Sequence, residues 1–252
     1  MVRGLDLFRR QFAHLSDNYV LIGGTACTLA MEEMGLAFRA TKDLDIVLCV
    51  EALENKFVKA FWEFVKAGNY QHTQQSTGKK LFYRFYAPQD LSYPQMLELF
   101  SRKPDAMTLR KDVHLTPIPT GEEISSLSAI LLNDDYYRFI HEGKREIDDL
   151  PILAPTHLIP LKARAWIDLS SQRDLGIHVD ENDIRKHRND VIRLYQLLSA
   201  ETRISLPRLI QQDMEMFLDR IKETPIDLKI FGIKNTNLNK IIAILNQIYC
   251  KK

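Results

Sequence analysis

The most regular pattern of apolar and polar positions lies between residues 19 and 48. An apolar run at 19–22 predicts a buried strand. The paired glycines Gly23 and Gly24 predict a sharp turn into a helix, whose apolar residues recur every three or four positions. Polar and apolar residues then alternate along 43–46 and lead into an apolar end at 47–48, which predicts a second strand. We therefore expect a strand, a glycine turn, a helix and a strand.

The second of these strands carries two carboxylates, Asp43 and Asp45. Residues two apart on a strand point to the same side, about 6.6 Å apart along it, so the two side chains are expected to project together. Adjacent negative charges repel each other unless a positive charge lies between them. Divalent cations such as Mg²⁺ bind carboxylate oxygens and share their remaining positions with phosphates. The pair predicts a metal site, and a solvated strand face is the simpler alternative.

The glycine turn predicts a second part of the same site. Glycine lets the backbone approach a ligand closely, and the N–H groups at the start of a helix attract anions. Gly23 and Gly24 alone indicate little, because many turns between a strand and a helix use glycine only for its geometry. A glycine turn and paired carboxylates within about thirty residues together predict a site for a metal-bound nucleotide.

This stretch resembles the core of the nucleotidyltransferase superfamily in two motifs, Gly-Gly-Thr at 23–25 and the run Arg39-Ala-Thr41-Lys-Asp43-Leu-Asp45-Ile. More narrowly, it resembles the AbiEii-like branch, the toxins of type IV abortive-infection and toxin–antitoxin pairs. Members of that branch carry an arginine and a serine or threonine just before the paired carboxylates. The resemblance implies catalysis by the two aspartates. It also implies nucleotide binding by Gly23, Gly24, Arg39 and Thr41.

Glu98 is a candidate third carboxylate. It lies among apolar residues in the strand predicted at 95–100, with Met96 and Phe100 on its own face. It is either a solvated glutamate on an edge strand or a third metal ligand, which the superfamily often places on the next strand. A charged residue among apolar neighbours usually has a partner, and we therefore favour the metal ligand.

The pattern changes near residue 155 from short strands to long helices. We predict a nucleotidyltransferase-like domain over 1–154 and a helical domain over 155–252, with the nucleotide in a cleft between them. The predicted fold class is α/β (α+β), a nucleotidyltransferase-type mixed sheet with flanking helices followed by the helical domain. Residues 103–150 are interrupted by prolines and are assigned no chemistry.

Lys162 lies on an apolar face of the first long helix. Its ammonium either extends out to water or points into a cleft where an anion binds it. In the resembled branch a lysine at this point of the chain contacts the nucleotide phosphates, so we favour the cleft and assign Lys162 to nucleotide binding.

The next helix contains Lys186-His187-Arg188-Asn189-Asp190, which resembles the Lys-Asp-x-x-Asp motif of the branch. The second aspartate of that motif is implicated in catalysis, and this role carries over to Asp190. Lys186 carries over as a nucleotide-binding residue. His187 replaces the first aspartate, so it is either a core histidine or a residue that orients Asp190.

Composition limits the choice of partner and compartment. The formal net charge of +1 excludes a strongly basic protein but leaves room for a local basic groove. The chain has only three cysteines, which show no metal-ligand spacing and give no disulfide framework. Such sparse cysteine is typical of a reducing cytoplasm. No signal peptide or membrane-spanning run is recognisable. We expect a soluble cytoplasmic protein without a membrane partner.

The predicted function is Mg²⁺-dependent transfer of NMP from an NTP to an acceptor, with two Mg²⁺ ions held by Asp43, Asp45 and Glu98. By resemblance the acceptor is RNA, the 3′ end of a tRNA, and the protein is a toxin with a small antitoxin partner. A basic path to the metals is predicted from Arg164, Arg185, Lys186, Arg188 and Arg193 around the cleft, with five further lysines in the C-terminal helices. The alternatives are transfer to a small molecule such as an aminoglycoside, and a non-catalytic nucleotide-binding module.

Overall fold

A computed structural model describes residues 2–49, 51–72, 82–100 and 133–250. The chain divides into two compact units. The first comprises the described residues up to 100 together with His141–Ala154, and the second comprises 133–140 together with the described residues from 155 onward.

Seven strands of the first unit form one mixed sheet in the order β3-β4-β5-β2-β1-β7-β6. The strands are β1 Tyr19–Ile22, β2 Asp43–Leu48, β3 Gln71–His72, β4 Phe82–Tyr86, β5 Met96–Phe100, β6 Lys144–Ile147 and β7 Leu150–Leu153. The pairs β2–β5 and β1–β7 are parallel, and the other neighbouring pairs are antiparallel. The predicted mixed sheet with flanking helices is therefore confirmed.

Helices accompany the sheet and make up most of the second unit. They are α1 Leu5–Phe12, α2 Gly23–Glu33, α3 Asn55–Ala67, α4 Asp134–Glu142, α5 Pro155–Asp174, α6 Glu181–Tyr195, α7 Arg208–Ile221 and α8 Leu238–Tyr249, with 3-10 helices at Ala13–Asn18 and Leu228–Phe231. Within the described part of the chain, no helix is long and apolar enough to cross a membrane.

An aromatic cluster from α1, α3 and β1 covers one face of the sheet. Its rings belong to Phe8, Phe12, Tyr19, Phe57, Phe61 and Phe64. Ring pairs of this kind contribute about 0.5–1.5 kcal/mol each beyond their buried area. Strand residues alternate between faces, and Tyr19 is paired with Leu48 across β1 and β2. The odd-numbered residues of β2, including Asp43 and Asp45, therefore point to the opposite face.

The β6–β7 hairpin was not predicted from the sequence. Its strands are joined at Asp148 and Asp149, whose φ angles of 48° and 61° are left-handed. The strand β7 pairs in parallel with β1, where Leu21 lies beside Ile152, and the Arg145 guanidinium bonds Glu33 of α2 at 2.6 Å. These contacts place the hairpin in the first unit.

The second unit is organised around α5, which packs against α6 and α7. Helix α4 is also attached here, because the Tyr136 hydroxyl donates a 2.7 Å hydrogen bond to Asp213 and the Phe139 ring lies 4.2 Å from that of His157. The prediction of one domain over 1–154 therefore differs from this grouping at 133–140. Of the segment 103–150, to which the sequence assigned no chemistry, residues 103–132 lie outside the described residues.

Candidate active site

A row of charged side chains crosses the first unit's sheet. Asp45 of β2 lies opposite Glu98 of β5, and Glu98 lies opposite Arg84 of β4. On the other side, Asp45 is paired with Ile22, the last residue of β1. Paired residues on neighbouring strands share a face, so the two carboxylates and the guanidinium lie side by side.

Glu98 is the most buried carboxyl group of this row, with 9% of its surface exposed. The Arg84 guanidinium donates to its Oε1 from Nε at 2.8 Å and from Nη2 at 2.6 Å. Burial raises the pKa of Glu98 well above its ordinary value, and the charge and hydrogen bond of Asp45 raise it further. Arg84 opposes this rise, and Asp43 adds to it. The charges of both aspartates therefore act on Glu98.

The glycine turn lies directly against these acids. Gly23 has a left-handed φ of 64°, and a Cβ at this position would overlap Oδ2 of Asp45. A Cβ on Gly24 would overlap the Thr41 hydroxyl and would lie 3.7 Å from Nη2 of Arg39. Glycine is thus required here both by backbone conformation and by close approach. The structure brings the predicted turn, Thr41, Arg39 and Asp45 together.

Thr25 fixes the start of α2 to the start of β2. Its hydroxyl donates a 2.7 Å hydrogen bond to the carbonyl oxygen of Asp43. This bond links the helix N-terminus to the strand that carries the aspartates. The first N–H groups of α2 therefore lie beside the carboxylates, where an anion held by a metal could reach both.

Replacing Gly23 with alanine is expected to destabilise the protein and displace the Asp45 side chain. The left-handed backbone costs alanine about 1–2 kcal/mol, and the overlap with Oδ2 adds to this. The matched control is Gly35→Ala, because Gly35 has a φ of 69° but no neighbouring atom within 4 Å of its Cβ position. Urea unfolding of both variants measures the difference. Equal losses of unfolding free energy would show that Asp45 does not press against the turn.

The acids of this site match the ligand preference of a hard divalent cation. Asp45 and Glu98 are in direct contact, and Asp43 acts on Glu98 through its charge. Neighbouring carboxylates repel each other, and a divalent cation bound between them would relieve this repulsion. In the described residues, no three acidic, histidine or cysteine side chains are already arranged to hold a metal ion. The donor chemistry fits Mg²⁺, although the predicted trio is not preassembled.

In the second unit, the predicted residues Lys162 and Asp190 are paired with each other. Lys162 Nζ lies 3.2 Å from Asp190 Oδ2, and the two residues are 6% and 0% exposed. Arg193 approaches the other oxygen of Asp190 at 3.4 Å and lies over the Phe231 ring. The Lys162 ammonium therefore does not extend into water. It neutralises a carboxylate inside the helical unit.

The remaining predicted residues of this unit lie on α6. Lys186 donates to Asp183 at 2.6 Å, and His187 is half-buried one position further along the helix. Arg185 and Arg188 bond the side-chain amides of Asn182 and Asn189.

Arg84 is the site residue that the sequence reasoning missed. It lies among aromatic residues in the sequence Phe-Tyr-Arg-Phe-Tyr at 82–86, just as Glu98 lies among apolar ones. A second charged residue in an apolar strand was the available signal, because such residues usually have partners.

Comparison with known proteins finds no sequence relative, but it finds similar solved structures, among them the two below. No family model matches the sequence, and no curated protein matches it significantly. The Megavirus polyadenylate synthase is 15% identical, with a TM-score of 0.42 over 88% of this chain and 36% of that one. An antigenic nucleotidyltransferase-like protein from Paracoccidioides brasiliensis is 16% identical, with a TM-score of 0.41 over 89% of this chain and 88% of that one. This chain thus spans little more than a third of the polyadenylate synthase.

Proposed function

We propose that this protein transfers a nucleoside monophosphate from a nucleoside triphosphate to an acceptor hydroxyl in a Mg²⁺-dependent reaction. The observation that carries the proposal is the contact of Asp45 with both Glu98 and the glycine turn that opens α2. Concentrated negative charge and anion-binding N–H groups beside it are the two features that a metal-bound triphosphate requires.

The residues around the turn support binding of the phosphates. The Thr41 hydroxyl lies against Gly24, and the Arg39 guanidinium is close to it. Hydroxyl and guanidinium groups donate hydrogen bonds to phosphate oxygens, and the guanidinium also supplies positive charge. We assign four residues to the triphosphate, namely Gly23, Gly24, Arg39 and Thr41.

In the proposed reaction, the acceptor oxygen forms a bond to the α-phosphorus, and the bond from that phosphorus to the bridging oxygen breaks. Pyrophosphate leaves with the bridging oxygen, and the acceptor proton passes to water. Asp43 and Asp45 would hold the Mg²⁺ ions, with Glu98 as the third carboxylate. When bound, Mg²⁺ offsets the negative charge that develops on the phosphate oxygens.

The residues of the second unit remain predictions from the resemblance. Lys162 and Lys186 each have an acidic partner, Asp190 and Asp183 respectively. Asp190 has both oxygens engaged, one by Lys162 and one by Arg193. The proposed chemistry therefore rests on the residues of the first unit.

The acceptor that we propose is RNA, and two arginines of α6 support it. Arg185 and Arg188 are three positions apart, so they lie on one face of the helix. In the described part of the chain, neither is in an ion pair with a carboxylate, and their partners are the amides of Asn182 and Asn189. Burial, together with the charge of Arg185, lowers the pKa of Arg188. A phosphate group bound between the two guanidiniums would relieve this repulsion.

The other residues that α5 and α6 contribute to the predicted basic path are neutralised. Their carboxylate partners are Asp168 and Asp213 for Arg164, Asp183 for Lys186 and Asp190 for Arg193. We therefore assign the proposed contact with RNA phosphates to Arg185 and Arg188.

Purified protein given labelled NTPs and total RNA is expected to label tRNA-sized species. Phosphate contacts release counterions, so RNA binding should weaken steeply with added salt. The double variant Arg185→Gln/Arg188→Gln is expected to make the salt slope less negative by about 0.7 for each lost contact with single-stranded RNA. Fluorescence anisotropy of a labelled tRNA at several salt concentrations measures this slope. The matched control is Arg173→Gln, because Arg173 is already paired with Asp174 and Glu181.

Other outcomes of the transfer assay would assign the alternatives. Labelling of an aminoglycoside or another small alcohol, without labelling of RNA, would make the protein a small-molecule nucleotidyltransferase. Nucleotide binding without transfer would make it a non-catalytic module. The proposed toxin role rests on the resemblance alone. It requires that induced expression arrests growth and that Asp45→Asn abolishes the arrest.

A further inference from the structure

Arg84 occupies a defined place in the row of charges on the sheet. It lies opposite Glu98, which in turn lies opposite Asp45. Neighbouring strands are about 4.8 Å apart, so the guanidinium is one strand from Glu98 and two strands from Asp45. Its positive charge therefore acts at contact on Glu98 and only at a distance on Asp45.

Both hydrogen bonds from Arg84 to Glu98 end on the same oxygen. Nε and Nη2 lie 2.8 Å and 2.6 Å from Oε1. A guanidinium often binds a carboxylate with one nitrogen for each oxygen, and that arrangement would occupy both oxygens of Glu98. Two bonds to one oxygen instead fix the orientation of the carboxyl group while Glu98 also contacts Asp45.

Glu98 needs this partner because of where it is buried. Only 9% of its surface is exposed, and Asp45 lies opposite it on the neighbouring strand. A buried polar group is costly unless it is hydrogen-bonded. Arg84 supplies two hydrogen bonds to one oxygen of Glu98, and these bonds orient the carboxyl group beside Asp45.

We propose that Arg84 is a positioning residue, which holds the Glu98 carboxyl group in the orientation in which it can join Asp43 and Asp45 in binding a divalent cation. The inference rests on the proposed function, because it deepens the same metal site. Two simpler roles predict different results. An ion pair that only stabilises the sheet would leave metal affinity unchanged in the folded protein. A positive charge that only repels the cation would weaken metal binding, so its removal would strengthen it.

The test is a Mn²⁺ titration of the full chain, in which electron paramagnetic resonance measures the concentration of the unbound ion. Arg84→Met is expected to weaken Mn²⁺ binding about tenfold or more, as is usual when a partner that orients a metal ligand is removed. Arg84→Lys keeps the charge but not the two-point contact, so a smaller loss is expected. Arg145→Met is the matched control, because Arg145 forms a 2.6 Å ion pair with Glu33 at the other edge of the sheet.

A double-variant cycle shows whether Arg84 acts through Glu98. In a Glu98→Gln background, Arg84→Met is expected to cause no further loss of Mn²⁺ affinity, since the carboxylate that it orients is gone. Thermal midpoints are measured in parallel, so that all titrations use folded protein. Unchanged or tighter Mn²⁺ binding by Arg84→Met would overturn the positioning role.

The outcomes also separate this inference from the proposed function. Loss of Mn²⁺ binding in Asp45→Asn together with unchanged binding in Arg84→Met would remove the role of Arg84 and keep the metal site. Absence of Mn²⁺ binding by the unaltered protein would overturn the metal site, and the role of Arg84 with it.

Discussion

Asp45→Asn is expected to lower NTP turnover by at least about a thousandfold, which corresponds to about 4 kcal/mol of activation free energy. Asparagine has nearly the same shape but no negative charge. Asp45 lies at the centre of the site, in contact with Glu98 and pressed against Gly23. Asp43→Asn is expected to have a similar effect, because Asp43 is the other proposed ligand on β2. Pyrophosphate release in the presence of Mg²⁺ measures the loss.

The same substitution should not destabilise the metal-free protein. Asp45 raises the pKa of Glu98 through like charge, so its neutralisation removes a repulsion. We therefore expect an unchanged or higher thermal midpoint for Asp45→Asn without metal, and a smaller rise on adding Mg²⁺ than in the unaltered protein. Asp149→Asn is the control, since Asp149 is exposed in the β6–β7 turn. Full turnover by both Asp43→Asn and Asp45→Asn would exclude the proposed catalysis.

The strands and the glycine turn of the site were predictable because local pattern determines them. Alternation along 43–46 correctly placed Asp43 and Asp45 on one face of β2. The strand bearing Glu98 was also recognised, to within one residue. Gly23 approaches Asp45 because it directly follows Ile22, the last residue of β1, which is paired with Asp45 of β2.

The β6–β7 hairpin could not be predicted because its sequence contradicts the usual signals. Pro151 lies in β7, which has neighbours on both sides, whereas proline normally argues against a central strand. The turn is formed by Asp148 and Asp149 in left-handed conformations, where Asn-Gly or Asp-Gly is the usual signal. Long-range pairing with β1 overrides these local preferences.

The partners of the charged residues were not predictable for a related reason. Arg84 meets Glu98 through the register of β4 on β5, and Lys162 meets Asp190 through the packing of α5 on α6. Neither register nor packing is encoded in spacing along the chain. Sequence reasoning therefore singled out Glu98, Lys162 and Asp190 as candidate site residues but could not identify their protein partners.

Lys162→Ala is expected to lower the free energy of unfolding by about 3 kcal/mol or more. The substitution leaves the Asp190 carboxylate, which is 0% exposed, without its lysine partner. Removing one member of a buried ion pair typically costs about 3–5 kcal/mol, because the remaining charge is uncompensated. Arg193 still approaches Asp190 at 3.4 Å, so we expect the lower part of that range. Urea unfolding followed by circular dichroism measures the loss.

The double variant Lys162→Met/Asp190→Leu separates the pair's role in folding from a role in nucleotide binding. Well-packed apolar residues in place of a buried pair are often neutral or stabilising, so the double variant is expected to recover most of the loss. Lys222→Ala is the matched control, because its pair with Asp219 is exposed and should contribute at most about 1 kcal/mol. Calorimetric titration of the refolded double variant with a non-hydrolysable NTP then tests the predicted phosphate contact of Lys162. Unchanged affinity would assign the pair to folding alone, whereas a loss of affinity in a stable double variant would retain Lys162 as a nucleotide ligand.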